Sequence, residues 1–204
     1  MKIITKILLT SILSLSFCMS TPVFAIEVGV AAPDFTLIDI DGNEHNLSDF
    51  KGKAVVLEWL SHSCPFVKKH YESNNMQGLQ EKYTKSDVVW LSINSSAANH
   101  PAYKTPAEEK ALKEKVGSKA TAVLSDASGK VGRAYGAKTT PHMFVIDAEG
   151  VLRYQGAIDS INSTDKEDVT KATNYVSAAL DELAAGKAVA KAETAAYGCS
   201  VKYS

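Results

Sequence analysis

AVVLEWLSHSCPFVKKHY, Ala54 to Tyr71, changes character at its middle. Ala54 to Leu60 is nearly continuous in apolar residues, the pattern of a central strand buried on both faces of a sheet. Glu58 is the exception. Pro65 suits the first turn of a helix, where its missing N–H is not needed, and the helix it opens is predicted to run from about residue 65 to 83. Cys64 therefore stands where a strand runs out and a helix begins. There its sulfur faces unpaired backbone N–H groups and the positive end of the helix dipole, and both favour thiolate. A free cysteine near pKa ~8.5 falls to about 3.5 to 7.5 in such settings, and thiolate is the nucleophile. His62, Lys68 and Lys69 add positive potential.

Upstream of this stretch, Phe35 to Ile40 alternates apolar and polar residues, Asp41-Gly42 supplies a turn, and Asn43 to Leu47 returns, which predicts a β-hairpin. Downstream, Val88 to Ile93 reads as a second buried strand. Thr105-Pro106-Ala107-Glu108-Glu109 then starts a helix with a cap, a proline at the first helical position and acids in the first turn. Short strands follow at Thr121 to Leu124, His142 to Asp147 and Val151 to Gly156, the last two joined at Ala148-Glu149-Gly150, with a helix near Ser128 to Tyr135. Ser163 or Thr164 is the expected cap of a final helix reaching about Ala185 and ended by Gly186. Strands alternating with helices predict an α/β domain, a mixed sheet covered on both sides.

The 204 residues open with Lys2 and Lys6, an apolar run from Ile7 to Met19, and the small-residue site Val23-Phe24-Ala25. That is the pattern of a cleaved secretory signal, residues 1–25. A membrane-spanning helix needs about 20 apolar residues, and this run is shorter and broken by serines. Cys18 follows the bulky Phe17, where a lipidated cysteine needs a small neighbour, so it is expected to leave with the leader. Cleavage leaves 179 residues: one domain, 26–186, and a tail, 187–204, that carries Cys199. The remaining 20 basic and 23 acidic residues sum to −3, which points to no nucleic acid, and no further stretch predicts a membrane partner. The expected location is outside the cytoplasm, in the periplasm. Two cysteines in an oxidising compartment, Cys64 and Cys199, allow one disulfide, two thiols or links to partners.

Ala32-Pro33-Asp34-Phe35-Thr36-Leu37, the Asp41-Gly42 turn, Leu47-Ser48-Asp49-Phe50-Lys51-Gly52-Lys53 and the strand leading to Cys64 resemble the redoxin family, the alkyl hydroperoxide reductase/thiol-specific antioxidant proteins of the thioredoxin superfamily. The likeness covers roughly residues 27 to 160, and Gly198-Cys199-Ser200-Val201-Lys202 is similar to the tail of peroxiredoxin-like members. It implies a thioredoxin-like fold and a thiol-dependent oxidoreductase with no cofactor and no metal. Thr140-Pro141 resembles the cis-proline loop that lies beside the reactive cysteine in that superfamily and orients substrate. Glu58, six residues before Cys64, matches the buried acid of thioredoxins. An isolated carboxylate there should have a raised pKa and shuttle protons; the alternative is an acid on an exposed face or paired with a lysine.

Two departures from the family pattern shape the expected chemistry. A thioredoxin carries its second cysteine at position 67, and Val67 resolves nothing. Any disulfide then involves Cys199, a partner protein's thiol or a small thiol. Cys199, 135 residues beyond Cys64, either attacks an oxidised Cys64 and resolves it or forms a static staple contributing about 4 to 5 kcal/mol. A peroxiredoxin uses proline, threonine or serine, and cysteine in a PxxxTxxC or PxxxSxxC pattern, and an arginine that polarises peroxide. Ser61 fits the middle position, but Leu57 replaces the proline and Pro141 stands at the arginine's place, with Arg133 as the candidate substitute. The favoured reading is exchange with thiol or disulfide proteins. Reduction of small peroxides by Cys64 with Ser61 is the second. A third is a non-catalytic or copper-handling domain using His62, Cys64 and His70, although copper-delivery relatives carry a CxxxC pair and residue 68 is lysine.

Overall fold

The computed structural model describes residues 26–203; the expected leader and Cys18 lie outside the described residues. The hairpin is β1 (Thr36–Asp39) and β2 (Glu44–Asn46), antiparallel, with Gly42 at φ 87° in its turn. After it come β3 (Val55–Trp59), α1 (Pro65–Glu72), α2 (Asn75–Thr84), β4 (Val89–Asn94), α3 (Pro106–Val116), β5 (Ala122–Ser125) and α4 (Lys130–Ala134). The chain continues through β6 (Thr139–Thr140), β7 (His142–Ile146), β8 (Leu152–Gly156), α5 (Tyr175–Ala184) and β9 (Cys199–Ser200).

One seven-stranded sheet runs β2-β1-β5-β4-β3-β7-β8. Within it β3 is parallel to β4 and antiparallel to β7, so the sheet is mixed. The period of two along β3 divides the core. Val55, Leu57 and Trp59 face one side with Leu91, Ile93 and Phe144. Val56 and Leu60 face the other, beneath Val67 and Tyr71 of α1, Leu79 of α2 and Leu180 of α5. Trp59 meets Phe144 edge-on at 5.1 Å and donates from Nε1 to Ser95 Oγ at 3.0 Å. A side chain this size, wholly buried, contributes about 3 to 5 kcal/mol against alanine. The architecture is the expected thioredoxin-like α/β fold.

Two helix expectations are corrected. The helix predicted over 65–83 breaks at Ser73-Asn74, where Asn74 is left-handed at φ 59°. Ser73 Oγ donates to His70 O and Asn75 Nδ2 bonds His70 Nδ1, so short polar side chains take over from the helical backbone. The final helix starts at Asn174, whose side chain accepts from Ser177 N at 2.9 Å, rather than at Ser163 or Thr164. Ser163 instead donates to Asp168 beside a separate 3-10 turn over Lys166–Thr170. In α3 the expected cap is present: Thr105 and Glu108 bond each other's backbone N–H groups, and Gly117 closes the helix at φ 67°.

Residues 187–203 run along the domain and return to the edge formed by β6. Gln155 N donates to Ala192 O and Thr194 N to Gln155 O. Thr194 Oγ1 lies 2.6 Å from the Tyr154 hydroxyl. Tyr203 donates to Ala137 O at 2.8 Å, and its ring fills the space that a side chain at Gly129 or Gly132 would need. Between these anchors β9 pairs antiparallel with β6, which sets Cys199 opposite Thr140.

Candidate functional site

Cys64 is the N-cap residue of α1, with Pro65 in the first turn. Its N–H donates to Ser61 O at 3.0 Å, and its carbonyl accepts the first helical bond, from Lys68 N. Cys64 is only 2% exposed, and its thiol donates to Thr140 O at 2.9 Å. The Thr140-Pro141 peptide is cis. The structure thus brings Cys64, Thr140-Pro141 and Cys199 together from three places in the sequence.

Charge balance at the two sulfurs is unequal. Burial by itself raises the Cys64 thiol, but the Cys199 thiol and the backbone N–H groups of Val67 and Cys199 outweigh it, leaving Cys64 below its ordinary value. Cys199 moves the other way, to about 11, through burial and its bond and charge repulsion with Cys64. Of the pair, Cys64 is the sulfur that ionises first. Both are thiols in this structure.

Glu58 is buried but not isolated, which corrects the expectation of a bare carboxylate. Its Oε2 accepts from Trp90 Nε1 (2.8 Å), Ser92 Oγ (2.9 Å) and Gln80 Nε2 (3.3 Å), and Oε1 accepts from the Tyr71 hydroxyl (3.0 Å). Burial pushes its carboxyl above the ordinary range, and these four donors oppose the push. Each of these four donors belongs to the protein's interior, and none is a cysteine. The Tyr71 ring, however, packs in the same cluster as Cys64 and Val67.

The other singled-out residues are distributed differently from the sequence expectation. Ser61 Oγ pairs with Ser63 Oγ at 3.0 Å. His62 Nε2 lies 3.0 Å from Glu109 Oε2, whose partner oxygen accepts from Asn94. Lys68 is exposed, whereas Lys69 is buried against Asp159, so its charge is matched internally rather than offered to Cys64. His70 Nδ1 is engaged by Asn75. Hence His62, Cys64 and His70 each turn to a different partner, and among the described residues no group of three His, Cys, Asp or Glu side chains could share a metal ion. Arg133 lies over the Tyr203 ring at 4.6 Å and donates to Ser128 O. His142 packs on Phe144 at 4.5 Å and accepts from Lys138 N.

The sequence did not point to Asp159, Tyr197 or Gly198 as neighbours of the site. Gly198 approaches so closely that a β-carbon would lie 2.1 Å from Thr140 O. A glycine before the tail cysteine was the only signal available, because the contact depends on how the tail packs.

A cysteine capping the helix after the central strand, with a cis-proline loop at its sulfur, defines a thiol-dependent oxidoreductase of thioredoxin-like fold. The redoxin family model matches residues 27–174, and the chain belongs to the redoxin family. It is 33% identical over 153 residues to the thiol-disulfide oxidoreductase ResA of Geobacillus kaustophilus, covering 73% of this chain and 82% of the relative. A hypothetical protein of Sinorhizobium meliloti is similar in structure, with a TM-score of 0.74 and 29% identity over 89% of this chain and 97% of that one. A putative thiol:disulfide interchange protein DsbE from Chlorobium tepidum gives a TM-score of 0.51 at 27% identity, covering 64% and 85%. Among the described residues no helix is long and apolar enough to cross a membrane.

Proposed function

We propose that this chain is an exported thiol-disulfide oxidoreductase acting in the periplasm, with Cys64 as nucleophile, Cys199 as resolving cysteine, and a thiol or disulfide protein as partner. The observation that carries this reading is the β6–β9 pairing, which sets Cys199 opposite Thr140, the residue whose carbonyl accepts from Cys64. The ResA relatives, which bear the name thiol-disulfide oxidoreductase, support the reaction class.

In the proposed cycle Cys64 thiolate attacks one sulfur of a substrate disulfide. A Cys64–substrate disulfide forms, and the other substrate sulfur leaves as thiolate and takes up a proton. Cys199 then loses its proton and attacks Cys64 Sγ, releasing the second substrate thiolate. The substrate gains two electrons and the protein holds a Cys64–Cys199 disulfide, which an external dithiol returns to two thiols. Thr140 and Pro141 orient the incoming strand. Glu58, whose Oε1 accepts from the Tyr71 hydroxyl, serves as the buried proton reservoir.

Peroxide reduction is a second reading, favoured by one observation: a cysteine only 2% exposed admits a small oxidant more readily than a folded protein. Ser61, the residue it would use, is bonded to Ser63. A non-reducing peptide map separates the two. Exposure to a protein disulfide should produce a Cys64–Cys199 link and reduced substrate within minutes, while hydrogen peroxide reacts slowly. Rapid turnover with peroxide and none with protein disulfides reverses the assignment, and an unchanged Cys64→Ser variant removes both.

A further inference from the structure

Lys69 and Asp159 carry opposite charges in the interior, at 1% and 2% exposed. Such pairs stabilise a fold only when geometry and further hydrogen bonds compensate for lost hydration. Lys69 Nζ reaches Asp159 Oδ2 at 3.3 Å and Ile161 O at 3.0 Å. Asp159 Oδ1 accepts from Ile161 N at 3.0 Å and from the Tyr197 hydroxyl. The Tyr197 ring lies 5.9 Å from Lys69 Nζ and meets Phe66 edge-on at 5.7 Å.

Phe66 and Lys69 belong to α1, the helix that begins at Cys64, and Tyr197 precedes Cys199 by two residues. The helix that carries the nucleophile therefore grips the tail beside the second cysteine. The grip is needed because β6 and β9 share only two residue pairs, Thr139 with Ser200 and Thr140 with Cys199, and so short a ladder is marginal alone. Downstream the tail is held by Tyr203; upstream, Tyr197 is the anchor nearest Cys199.

We propose that Tyr197, seated on the Asp159–Lys69 pair, is a positioning residue that holds Cys199 against Cys64 and thereby sets the equilibrium of their disulfide. This rests on the reading of Cys199 as resolving cysteine. The equilibrium is Cys64–S–S–Cys199 plus two glutathione thiols giving two protein thiols plus glutathione disulfide, a two-electron, two-proton exchange. Tyr197→Phe keeps the ring against Phe66 and removes the hydroxyl.

Titration of the full chain with glutathione buffers reads the result. Tyr197→Phe should lower the effective concentration of Cys199 at Cys64 about tenfold, raising the potential by about 30 mV. Tyr83→Phe removes another partly buried hydroxyl, one bonded to Ser177 and Asp181, and should lower Tm while leaving the potential unchanged. A Tyr197→Phe potential equal to wild type, or an equal shift in both variants, overturns the positioning role while leaving the resolving role intact. A wild-type chain that forms no Cys64–Cys199 disulfide at any glutathione ratio sinks the resolving role and the positioning role together.

Discussion

Replacing Gly198 by alanine tests the tail's placement most directly. Gly198 sits at φ 139°, and an added β-carbon would lie 2.1 Å from Thr140 O, 2.8 Å from Thr140 C and 3.2 Å from Pro141 N. All three are backbone atoms, so no side chain can rotate aside. A carbon–oxygen contact of about 3.3 Å requires β9 to withdraw from β6 by roughly 1 Å. The backbone conformation costs alanine about 1 to 3 kcal/mol, and a weakened ladder hydrogen bond adds about 1 kcal/mol. A net penalty of about 3 kcal/mol is roughly 100-fold in the effective concentration of Cys199 at Cys64, or about 60 mV in a two-electron couple. Glutathione titration with acid quench and thiol counting measures it. Alkylation of Cys64 in the reduced variant should also speed up, because the strand that covers it has moved. A potential within about 10 mV of wild type, with unchanged alkylation, would refute the close-approach argument.

Removing the Cys199 thiol by Cys199→Ala takes away a donor that favours Cys64 thiolate, so the midpoint of Cys64 alkylation against pH should rise; a fall or no change contradicts the assigned cause. Glu58→Gln should slow closure of the Cys64–Cys199 disulfide at neutral pH by about 100-fold, the lower range of general acid–base contributions, while leaving the first alkylation of Cys64 unaffected. Equal closure rates in stopped-flow would remove Glu58 from the proton path. His70 and His142 are both held near 4 instead of 6.5, in each case chiefly by burial. The folded state then binds fewer protons than the unfolded chain, so stability is full above pH 6.5 and is lost as pH falls toward 4, by up to about 3 kcal/mol per histidine. Urea midpoints that stay flat between pH 7 and 4.5 would show that neither ring is so held.

Local sequence carried much of this protein. Ala54 to Leu60 is apolar except at Glu58 and became the interior strand β3; Pro65 placed Cys64 at the helix cap; Asp41-Gly42 turned the hairpin; Thr105 and Glu108 capped α3. Each depends on residues within a few positions of one another, where periodicity, proline geometry and capping act whatever the rest of the chain does. Where side chains compete with the helical backbone, as at Ser73-Asn74-Asn75, the pattern misled, because a left-handed asparagine leaves no apolar-period signal. Glu58 was legible as a buried acid, but its four donors come from α1, α2 and β4 and were not. Lys69 was read as positive potential for Cys64, and only Asp159, 90 positions away, reveals that its charge is matched in the interior. The tail shows the limit most clearly. Sequence determined that Cys64 caps a helix after a central strand, a setting that favours thiolate, and that position 67 holds no second cysteine. That Cys199 is the thiol beside it was decided by tertiary packing, because proximity across 135 residues comes from the anchors at Thr194, Tyr197 and Tyr203 and from a glycine small enough to touch Thr140.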